Sequence, residues 1–445
     1  MKRLLTSAAL FLCSLLTFAQ FSGSGAGTES DPYLILNPIQ LNQLRNFLNQ
    51  SGVYFKLMAD IDLTEFLEDE NPDQGWQPVG TSSAPFKGIL DGNGKTISGL
   101  WINRSNTSYV GLFGYCDYAT IKNLTIKDAE INGKTYVGVI SGYAYNGGVS
   151  NCILSGKVNG VEKVGGCTGY TYSGFFKGIS SSVDIIGGDY TGGIAGGEGG
   201  NTVDSNVHSI TISNCFVNST ISGINKVGGI LGGAYRAYCN ISNCGYVGSI
   251  SGTSNVGGIC GYTNGYTNDS SSSTIKGSYA VAYVRGTGEN TGGLIGYSES
   301  TVEDCYFSGR VIGQKYTGGL IGYSIISPVK KCYSQGSIIG TSYVGGLCGY
   351  IDDNSKIESN VIIASSIKAT EGYVGRLYGY NNYTSENIGS LGTSAENKSY
   401  NRTIVINQGV AQDVSDDLKN GTGVSATTLK LKATYVAMGW DFTDT

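Results

Sequence analysis

The amino-acid sequence predicts an all-β protein, a parallel and right-handed β-helix solenoid of about ten coils. Three observations support this fold class. A glycine-rich pattern, Tyr-Val-Gly-Gly-Leu-x-Gly-Tyr, recurs ten times between residues 109 and 380. Glycine supplies 69 of the 445 residues, about twice its usual share. Charged residues make up only 14% of the chain, against about 25% in ordinary globular domains.

The pattern repeats with a nearly constant period of about 27 residues. A second element, Ile or Val followed two residues later by Asn-Cys or a similar pair, lies midway through each period, as in Val149–Cys152 and Ile241–Cys244. Units this short cannot bury a face alone, so each must stack on its neighbours. A period of about 27 residues suits one solenoid turn with a rise of roughly 4.8 Å, whereas a propeller blade needs about 40.

Each position of the repeat predicts a role. The leucine position is apolar throughout and predicts an inward-facing stack, and the preceding valine position holds Val or Thr in all ten copies. The glycine pair between them suits a bend where a side chain would clash, or where φ must be positive. Arg376 breaks the pair in the last copy, which predicts that the stack ends there.

The flanking segments predict an export signal and two caps. Residues 1–19 combine Lys2 and Arg3 with an apolar stretch and a small-x-small cleavage pattern, typical of a signal peptide. Residues 20–108 are predicted to form an N-terminal cap and the first coils, 109–380 the repeat β-helix, and 381–445 an irregular C-terminal cap. A short capping helix is expected in Pro38–Gln50. The three tryptophans are expected to plug the ends of the core: Trp76, Trp101 and Trp440.

The cysteines are predicted to be reduced core residues. Cys152, Cys215, Cys244, Cys305 and Cys332 share one repeat position, to which we also assign Leu124, Ser182, Ser278 and Asn360. A site shared by Cys, Leu and Ser is typical of a small inward slot, where buried cysteine acts as a small hydrophobe. Disulfides between adjacent coils, Cys215–Cys244 and Cys305–Cys332, are the alternative, although directly stacked Cβ atoms are slightly too far apart.

The repeats resemble the GLUG motif of bacterial surface proteins of filamentous-haemagglutinin type, also found in non-catalytic regions of IgA-specific peptidases. The flanks match the same context at Gly27–Ile35, Phe55–Leu63 and Phe86–Ile97. The resemblance implies export, a β-helix and an association with adhesion. It implies no defined ligand and no catalytic residues.

Few residues predict chemistry, so we expect no enzyme. Acidic residues do not recur in register on neighbouring coils, and His208, the single histidine, is interpreted as a surface-loop residue. The segment Asp60–Asp73 is interpreted as a solvated acidic loop, with calcium as the alternative; no other metal or cofactor is expected. A net charge of −5 argues against a nucleic-acid partner.

The candidate binding residues follow from where the period stretches. Two insertions, Gly197–Ile210 and Thr263–Thr274, fall at the same corner of the repeat, and insertions on one face of a solenoid often mark its binding side. Tyrosines on or beside this corner suit stacking on sugars or contact with a protein. They are Tyr145, Tyr170, Tyr172, Tyr235, Tyr262 and Tyr266. The alternative is that stacked tyrosines only stabilise the corner.

Together these features predict an exported, adhesin-like binding protein at the cell surface or secreted, without a transmembrane span. Its expected partner is a glycan or a host or surface protein. A structural stalk of a larger surface protein is the alternative, and a polysaccharide-degrading β-helix enzyme is a third hypothesis.

Overall fold

The computed structural model describes residues 21–199, 208–264, 273–352, 355–382, 397–415, 417 and 419–441. These residues wind into an all-β parallel solenoid of about eleven turns. The predicted fold class is therefore confirmed, while its handedness stays a prediction. The predicted signal peptide lies outside the described residues.

Turns of the solenoid contribute to three sheets, whose described strands pair in parallel except for Ile404–Asn407 with Val410–Ala411. The third and smallest sheet spans only residues 135–375. Among the described residues, sheet 1 has 20 strands, sheet 2 has 16 and sheet 3 has 9. The strands of sheet 1 are Tyr33–Ile35, Tyr54–Leu57, Ile89–Asp91, Phe113–Asp117, Thr120–Lys122, Ser141–Ser150, Thr168–Lys177, Ala195–Gly199, Ser209–Ser213, Leu231–Tyr235, Tyr238–Ser242, Cys260–Asn264, Thr274–Lys276, Ile295–Ser298, Thr301–Glu303, Ile321–Ile325, Val329–Lys330, Cys348–Asp352, Ile357–Glu358 and Tyr378–Asn381.

Sheets 2 and 3 form the other two sides. The strands of sheet 2 are Ile61–Asp62, Thr96–Ser98, Trp101–Asn103, Thr125–Asn132, Ile153–Asn159, Ser180–Ile186, Phe216–Ser222, Gly245–Gly252, Tyr279–Gly286, Tyr306–Ile312, Tyr333–Gly340, Val361–Ala369, Lys398–Tyr400, Ile404–Asn407, Val410–Ala411 and Thr422–Val424. The strands of sheet 3 are Thr135–Val137, Glu162–Gly165, Asp189–Gly192, Asn225–Gly228, Ser254–Gly257, Glu289–Gly292, Lys315–Gly318, Ser342–Gly345 and Val374–Gly375. Short alternating strands of this kind bury every second side chain, as Ala280, Ala282 and Val284 show in sheet 2.

Close packing between backbones explains the glycine pairs. A methyl group on the second glycine of a pair would meet the carbonyl oxygen of the next turn, 2.1 Å away for Gly193 and 2.0 Å for Gly319. A methyl group on the first glycine would meet a carbonyl oxygen of its own turn, 2.0 Å away for Gly292. Since none of these glycines has a positive φ, the requirement is space. Of the two explanations that the sequence left open, a steric clash or a positive φ, the steric clash is therefore correct.

The predicted cysteine slot exists and its thiols are reduced. The ten cysteines of the described residues are free and buried. The backbone N–H of Ser278 donates to Cys305 Sγ (3.4 Å), and that of Cys305 donates to Cys332 Sγ (3.4 Å), so these slot residues bond to the next turn. Burial raises the pKa of the Cys152 thiol to about 11. The assignment of Ser182 to this slot was wrong, because the register places the buried Ile179 beside Cys152 and leaves Ser182 exposed.

The N-terminal end is capped by short helices. An α-helix, Pro38–Asn42, continues into a 3-10 helix, Gln43–Phe47, and both lie inside the predicted capping segment. The acidic segment was wrongly interpreted as a loop, because it folds into a strand and the helix Thr64–Glu70. Its Asp62 carboxylate accepts hydrogen bonds from the Thr64 N–H and hydroxyl through one oxygen, Oδ1.

The C-terminal end closes around Arg376. The guanidinium of this buried residue donates to the carbonyl oxygens of Ser415 (3.2 Å) and Gly421 (3.4 Å), which belong to the segment covering the last turn. The end of the glycine stack at Arg376 is thus confirmed. Two further helices, Ala426–Leu429 and Lys432–Val436, follow.

The tryptophans do not share one role. Trp76 is fully buried in the main core and its indole N–H donates to the Leu112 carbonyl oxygen (2.9 Å), while Trp101 packs at the edge of that core. Trp440 belongs to a separate cluster with Val361, outside the coil. The expectation that Trp440 plugs the core was therefore wrong, because the C-terminal helices fold back onto the outer face of sheet 2.

Candidate functional site

The closing tyrosine of each repeat forms a row along the outer face of sheet 1, here called the motif tyrosine row. Adjacent turns place these residues in register. The row runs Tyr115, Tyr143, Tyr170, Gly197, Gly233, Tyr262, Tyr297, Tyr323, Tyr350 and Tyr380. Neighbouring rings stack, with centroids 4.7 Å apart for Tyr115 and Tyr143 and 4.9 Å for Tyr323 and Tyr350. Two turns interrupt the row with glycine.

A second row, the left-handed row, stands beside the first, and most of its members lie within the short strands of sheet 3. Its members precede the valine position, and nine of the ten have φ between +54° and +64°. They are Tyr109, Tyr136, Lys163, Tyr190, Lys226, Asn255, Asn290, Tyr316, Tyr343 and Tyr373. The left-handed conformation turns these side chains against the motif tyrosine row, and the Tyr316 and Tyr323 rings meet edge to face at 83°.

The glycine gap in the motif tyrosine row holds a lysine. The Lys226 ammonium lies 4.0 Å from the ring centroid of Tyr190, 5.0 Å from that of Tyr262 and 5.9 Å from that of Tyr235. It also donates a hydrogen bond to the Tyr190 hydroxyl. Cation–π attraction of this kind contributes roughly 0.5–2 kcal/mol per contact.

Tyr170 closes the other side of this gap. A side chain on Gly197 or Gly199 would collide with the Tyr170 ring, whose hydroxyl would lie 2.3 Å from a methyl group on Gly199. The glycines therefore let Tyr170 lean across the gap towards Tyr190, its edge-to-face neighbour at 6.1 Å. We call Tyr170, Tyr190, Lys226, Tyr235 and Tyr262 the lysine–tyrosine cluster.

Partial burial shifts the pKa of the lysine and the pKa values of three tyrosines of the cluster in opposite directions. Burial lowers the pKa of Lys226, although the Asp189 charge opposes this. Burial raises the pKa of Tyr262 to about 12, with a further contribution from Glu299. The cluster presents rings and phenolic hydroxyls around the Lys226 ammonium, and the Lys163 ammonium lies 5.4 Å from the ring centroid of Tyr170.

A third group, the corner row, marks the bend inside sheet 1 where the insertions occur. Tyr145 and Tyr172 stack at 4.6 Å, Tyr118 meets Tyr145 at 6.1 Å, and the His208 ring lies 3.9 Å from Tyr172. His208 is buried, so its interpretation as a surface-loop residue was wrong. Its ring packs against that of Tyr172 at an angle of 55°, and this contact covers it.

A family model for the GLUG motif matches residues 287–312, one complete turn that ends just before the left-handed position of the next. The same residue types occupy the same register in the other repeat turns. The chain carries GLUG-motif repeats.

Two curated relatives match part of the chain. A protein of Evansella cellulosilytica, provisionally described as a Gly-rich membrane protein, is 38% identical over 129 residues, which is 28% of this chain and 14% of that protein. Halomucin of Haloquadratum walsbyi is 39% identical over 121 residues, which is 27% of this chain and 1% of that protein. The chain therefore matches only a small part of much longer relatives.

A solved structure also resembles the chain at low similarity. It is a protein from Bacteroides ovatus, provisionally described as an immunoglobulin A1 protease, with 18% identity and a TM-score of 0.35 over 94% of this chain and 90% of that one. In the described part of this chain, no helix has the length and apolar character needed to cross a membrane. No group of three or more His, Cys, Asp or Glu side chains there could hold a metal ion.

The GLUG turns divide the sequence-predicted site residues between two places. Tyr235 and Tyr262 lie around Lys226, and Tyr170 packs edge to face on Tyr190 beside it, whereas Tyr145 and Tyr172 belong to the corner row. Tyr266 lies outside the described residues. Sequence analysis missed Lys226 and Tyr190, although a lysine at a repeat position mostly held by tyrosine was a usable signal.

A buried carboxyl lies beneath the glycine gap. Glu198 occupies the inward position that Thr171 and Ala234 hold in the adjacent turns, and its exposed fraction is 0%. Neither carboxyl oxygen has a hydrogen-bond partner among the described residues. Burial therefore raises the pKa of Glu198 well above its usual 4.5.

Glu198 makes the protein less stable as the pH rises, and Glu198→Gln should remove this effect. The folded state holds the proton to a higher pH than the unfolded state, so stability is lost as pH rises above about 4.5 towards the folded pKa. The loss is about 1.4 kcal/mol for each unit by which the pKa is raised. Urea unfolding from about pH 4 to pH 8 measures it. Glu130→Gln, at an exposed glutamate of sheet 2, should leave the pH dependence intact, and equal profiles for wild type and Glu198→Gln would contradict the assignment.

Proposed function

We propose that the chain is an exported, non-catalytic binding protein of the cell surface, and that the outer face of sheet 1 binds glycans. The lysine–tyrosine cluster supports this proposal. It combines ring faces, phenolic hydroxyls and one ammonium at a gap in an otherwise continuous row of rings. The strands that lead into the two insertions end at Gly199 and Asn264 and flank Tyr235 in register.

The chemistry of the cluster favours sugars. Aromatic side chains offer an apolar face and, in tyrosine, a hydrogen-bonding tip, which matches the C–H faces and hydroxyls of a pyranose. Amide groups of the left-handed row stand next to the cluster, with Asn290 Nδ2 donating to Asn255 Oδ1 at 2.8 Å. The cluster is half-buried and held by its own contacts, so a ligand would meet a pre-organised surface.

Export and the absence of catalysis are parts of the same proposal. The signal-peptide pattern of residues 1–19 supports export. Glu303, which is followed by Asp304, forms salt bridges with Lys276 (3.4 Å) and Lys330 (3.4 Å). Such pairing is expected of a carboxylate that has a structural role.

Tyr262→Ala should lower glycan binding at least about tenfold, because it removes one wall of the cluster and leaves Lys226 less enclosed. A glycan array identifies the ligand, and calorimetry with that glycan measures the loss. Tyr350→Ala is the matched control, since Tyr350 occupies the same row in a turn distant from the cluster and stacks on Tyr323 in the same way.

Equal losses for Tyr262→Ala and Tyr350→Ala would overturn the assignment to the cluster. If the folded wild-type protein binds no glycan on the array, the second candidate function, a spacer within a longer surface protein, is favoured. That candidate is supported by the small share of each curated relative, 14% and 1%, that the matched segment represents.

A further inference from the structure

The C-terminal segment forms a concave surface with sheet 2, whereas the lysine–tyrosine cluster lies on sheets 1 and 3. Its helices pack on the outer face of sheet 2 through Leu429 and Met438, which bury Val361. The Trp440 indole N–H donates to the Ser359 carbonyl oxygen (3.0 Å), and the Tyr435 hydroxyl donates to the Leu429 carbonyl oxygen (2.7 Å). These bonds hold both aromatic side chains in place against the sheet.

Between the helices and the sheet lies a groove of about 470 Å³, here called the C-terminal groove. This volume falls in the range of about 300–1,000 Å³ that small-ligand sites occupy, and is too small for a protein partner to fill. Its aromatic and polar lining consists of Tyr333, Gln335, Lys430, Lys432, Tyr435 and Trp440. The Tyr435 and Trp440 rings meet nearly edge to face, at 5.3 Å and 71°.

A track of stacked rings leads into the C-terminal groove. Tyr279, Tyr306 and Tyr333 follow one another in register on sheet 2, with centroids 5.0 and 4.9 Å apart and rings within 5° of parallel. Only Tyr333 reaches the groove lining. Beyond the groove, Tyr306 lines a surface that also carries Glu303, Asp304 and Asp441 beside Lys276 and Lys331. Among the described residues, carboxylates therefore line the neighbouring surface and not the groove.

The charge of the groove differs from that of the chain. The chain carries a net charge of −5, but the charged groups among the described lining residues are two lysines, with no carboxylate. Lys430 and Lys432 are both exposed. A groove lined by one sign of charge attracts the opposite sign. Sugar carboxylates would meet these ammonium groups while the ring faces meet the pyranose.

We propose that the C-terminal groove is a binding site for acidic oligosaccharides. The aromatic walls provide stacking, Gln335 provides an amide, and Lys430 and Lys432 pair with the uronate carboxylates. This site is separate from the lysine–tyrosine cluster, and the proposal holds whether or not sheet 1 binds glycans.

The test is titration of the full chain with trigalacturonate and, in parallel, with its fully methyl-esterified form. The ester keeps the sugar rings and removes the charge. We expect saturable binding of the acid, followed by calorimetry and by the fluorescence of the half-buried Trp440, and at least about tenfold weaker binding of the ester. Raising the salt concentration should weaken binding of the acid.

Variants locate the site. The double change Lys430→Gln and Lys432→Gln should lower the affinity for trigalacturonate about tenfold or more. Lys157→Gln, an exposed lysine elsewhere on sheet 2, should not change it, and neither should Tyr262→Ala. Trp440→Ala should also reduce binding, with thermal unfolding and circular dichroism showing whether the C-terminal helices persist.

Three results would overturn the proposal: no binding of trigalacturonate by the wild type, equal binding of acid and ester, or unchanged affinity in the double lysine variant. Loss of binding in Tyr262→Ala with full retention in the double lysine variant would move the acidic glycan to the lysine–tyrosine cluster. That result would overturn the C-terminal groove and leave the proposed function standing.

Discussion

Replacing Gly229 with alanine is expected to destabilise the solenoid by about 3 kcal/mol or more, the range of severe overpacking in a protein core. Gly229 is the second glycine of its repeat. Its added methyl group would lie 2.0 Å from the Gly258 carbonyl oxygen and 2.4 Å from the Tyr246 ring. The carbonyl belongs to the next turn, whose position the parallel hydrogen bonds of all three sheets hold, so the turn cannot yield locally.

Gly233→Ala provides the matched control in the same turn. Its methyl group would lie 3.3 Å from Tyr262 Cβ, a contact that small shifts can relieve. We expect a change within about 1 kcal/mol. Urea unfolding followed by circular dichroism compares the two variants. Equal midpoints would show that the glycine pair is not required for spacing between turns.

Phe307→Ala is expected to cost about 3–5 kcal/mol, the usual range for a buried phenylalanine. Phe307 has an exposed fraction of 0% and points inward from sheet 2. Its neighbours in the adjacent turns are the small residues Ala280 and Ser334, both buried. The ring fills the space that these two leave, and neither can expand to fill the cavity after truncation.

Tyr306→Ala is the control for Phe307→Ala because it removes the adjacent aromatic residue from the outer face. Tyr306 stacks on Tyr279 and Tyr333, and losing these contacts should cost about 1 kcal/mol. The free energy of unfolding from denaturant titration distinguishes the two changes. A larger loss for Tyr306→Ala would mean that the outer ring track, and not the core, dominates the stability of this region.

The repeat period was enough to predict the solenoid, its apolar stacks and the reduced cysteines. This works because a parallel solenoid places each position of one turn directly beside the same position of the next, so composition at a repeat position reports burial. Alignment of the repeats by sequence gave the wrong residue, Ser182, in a turn that has no cysteine at the slot position to align on. Hydrogen-bond register assigns that slot to Ile179.

The candidate sites were predicted less well. Tyrosines beside the insertions were selected by position, but Lys226 lies against two of them, Tyr235 and Tyr262, and its contacts span turns separated by 36 and 29 residues. The C-terminal groove lay outside any prediction, because the segment after the repeats has no period. Only packing shows that Trp440 faces sheet 2 near Tyr333, 107 residues earlier in the sequence.

The sequence by itself determined the stacked architecture, the inward rows, and the glycine positions at which the turns approach. Tertiary structure decided that space, not a positive φ, requires the glycine pairs, that the left-handed positions belong to Tyr, Lys and Asn, and which rings surround a cation. The physical reason is that a repeat records which residue types share a register. Contacts such as that of Lys226 with Tyr190 depend on distances across turns of unequal length, which only the folded chain defines.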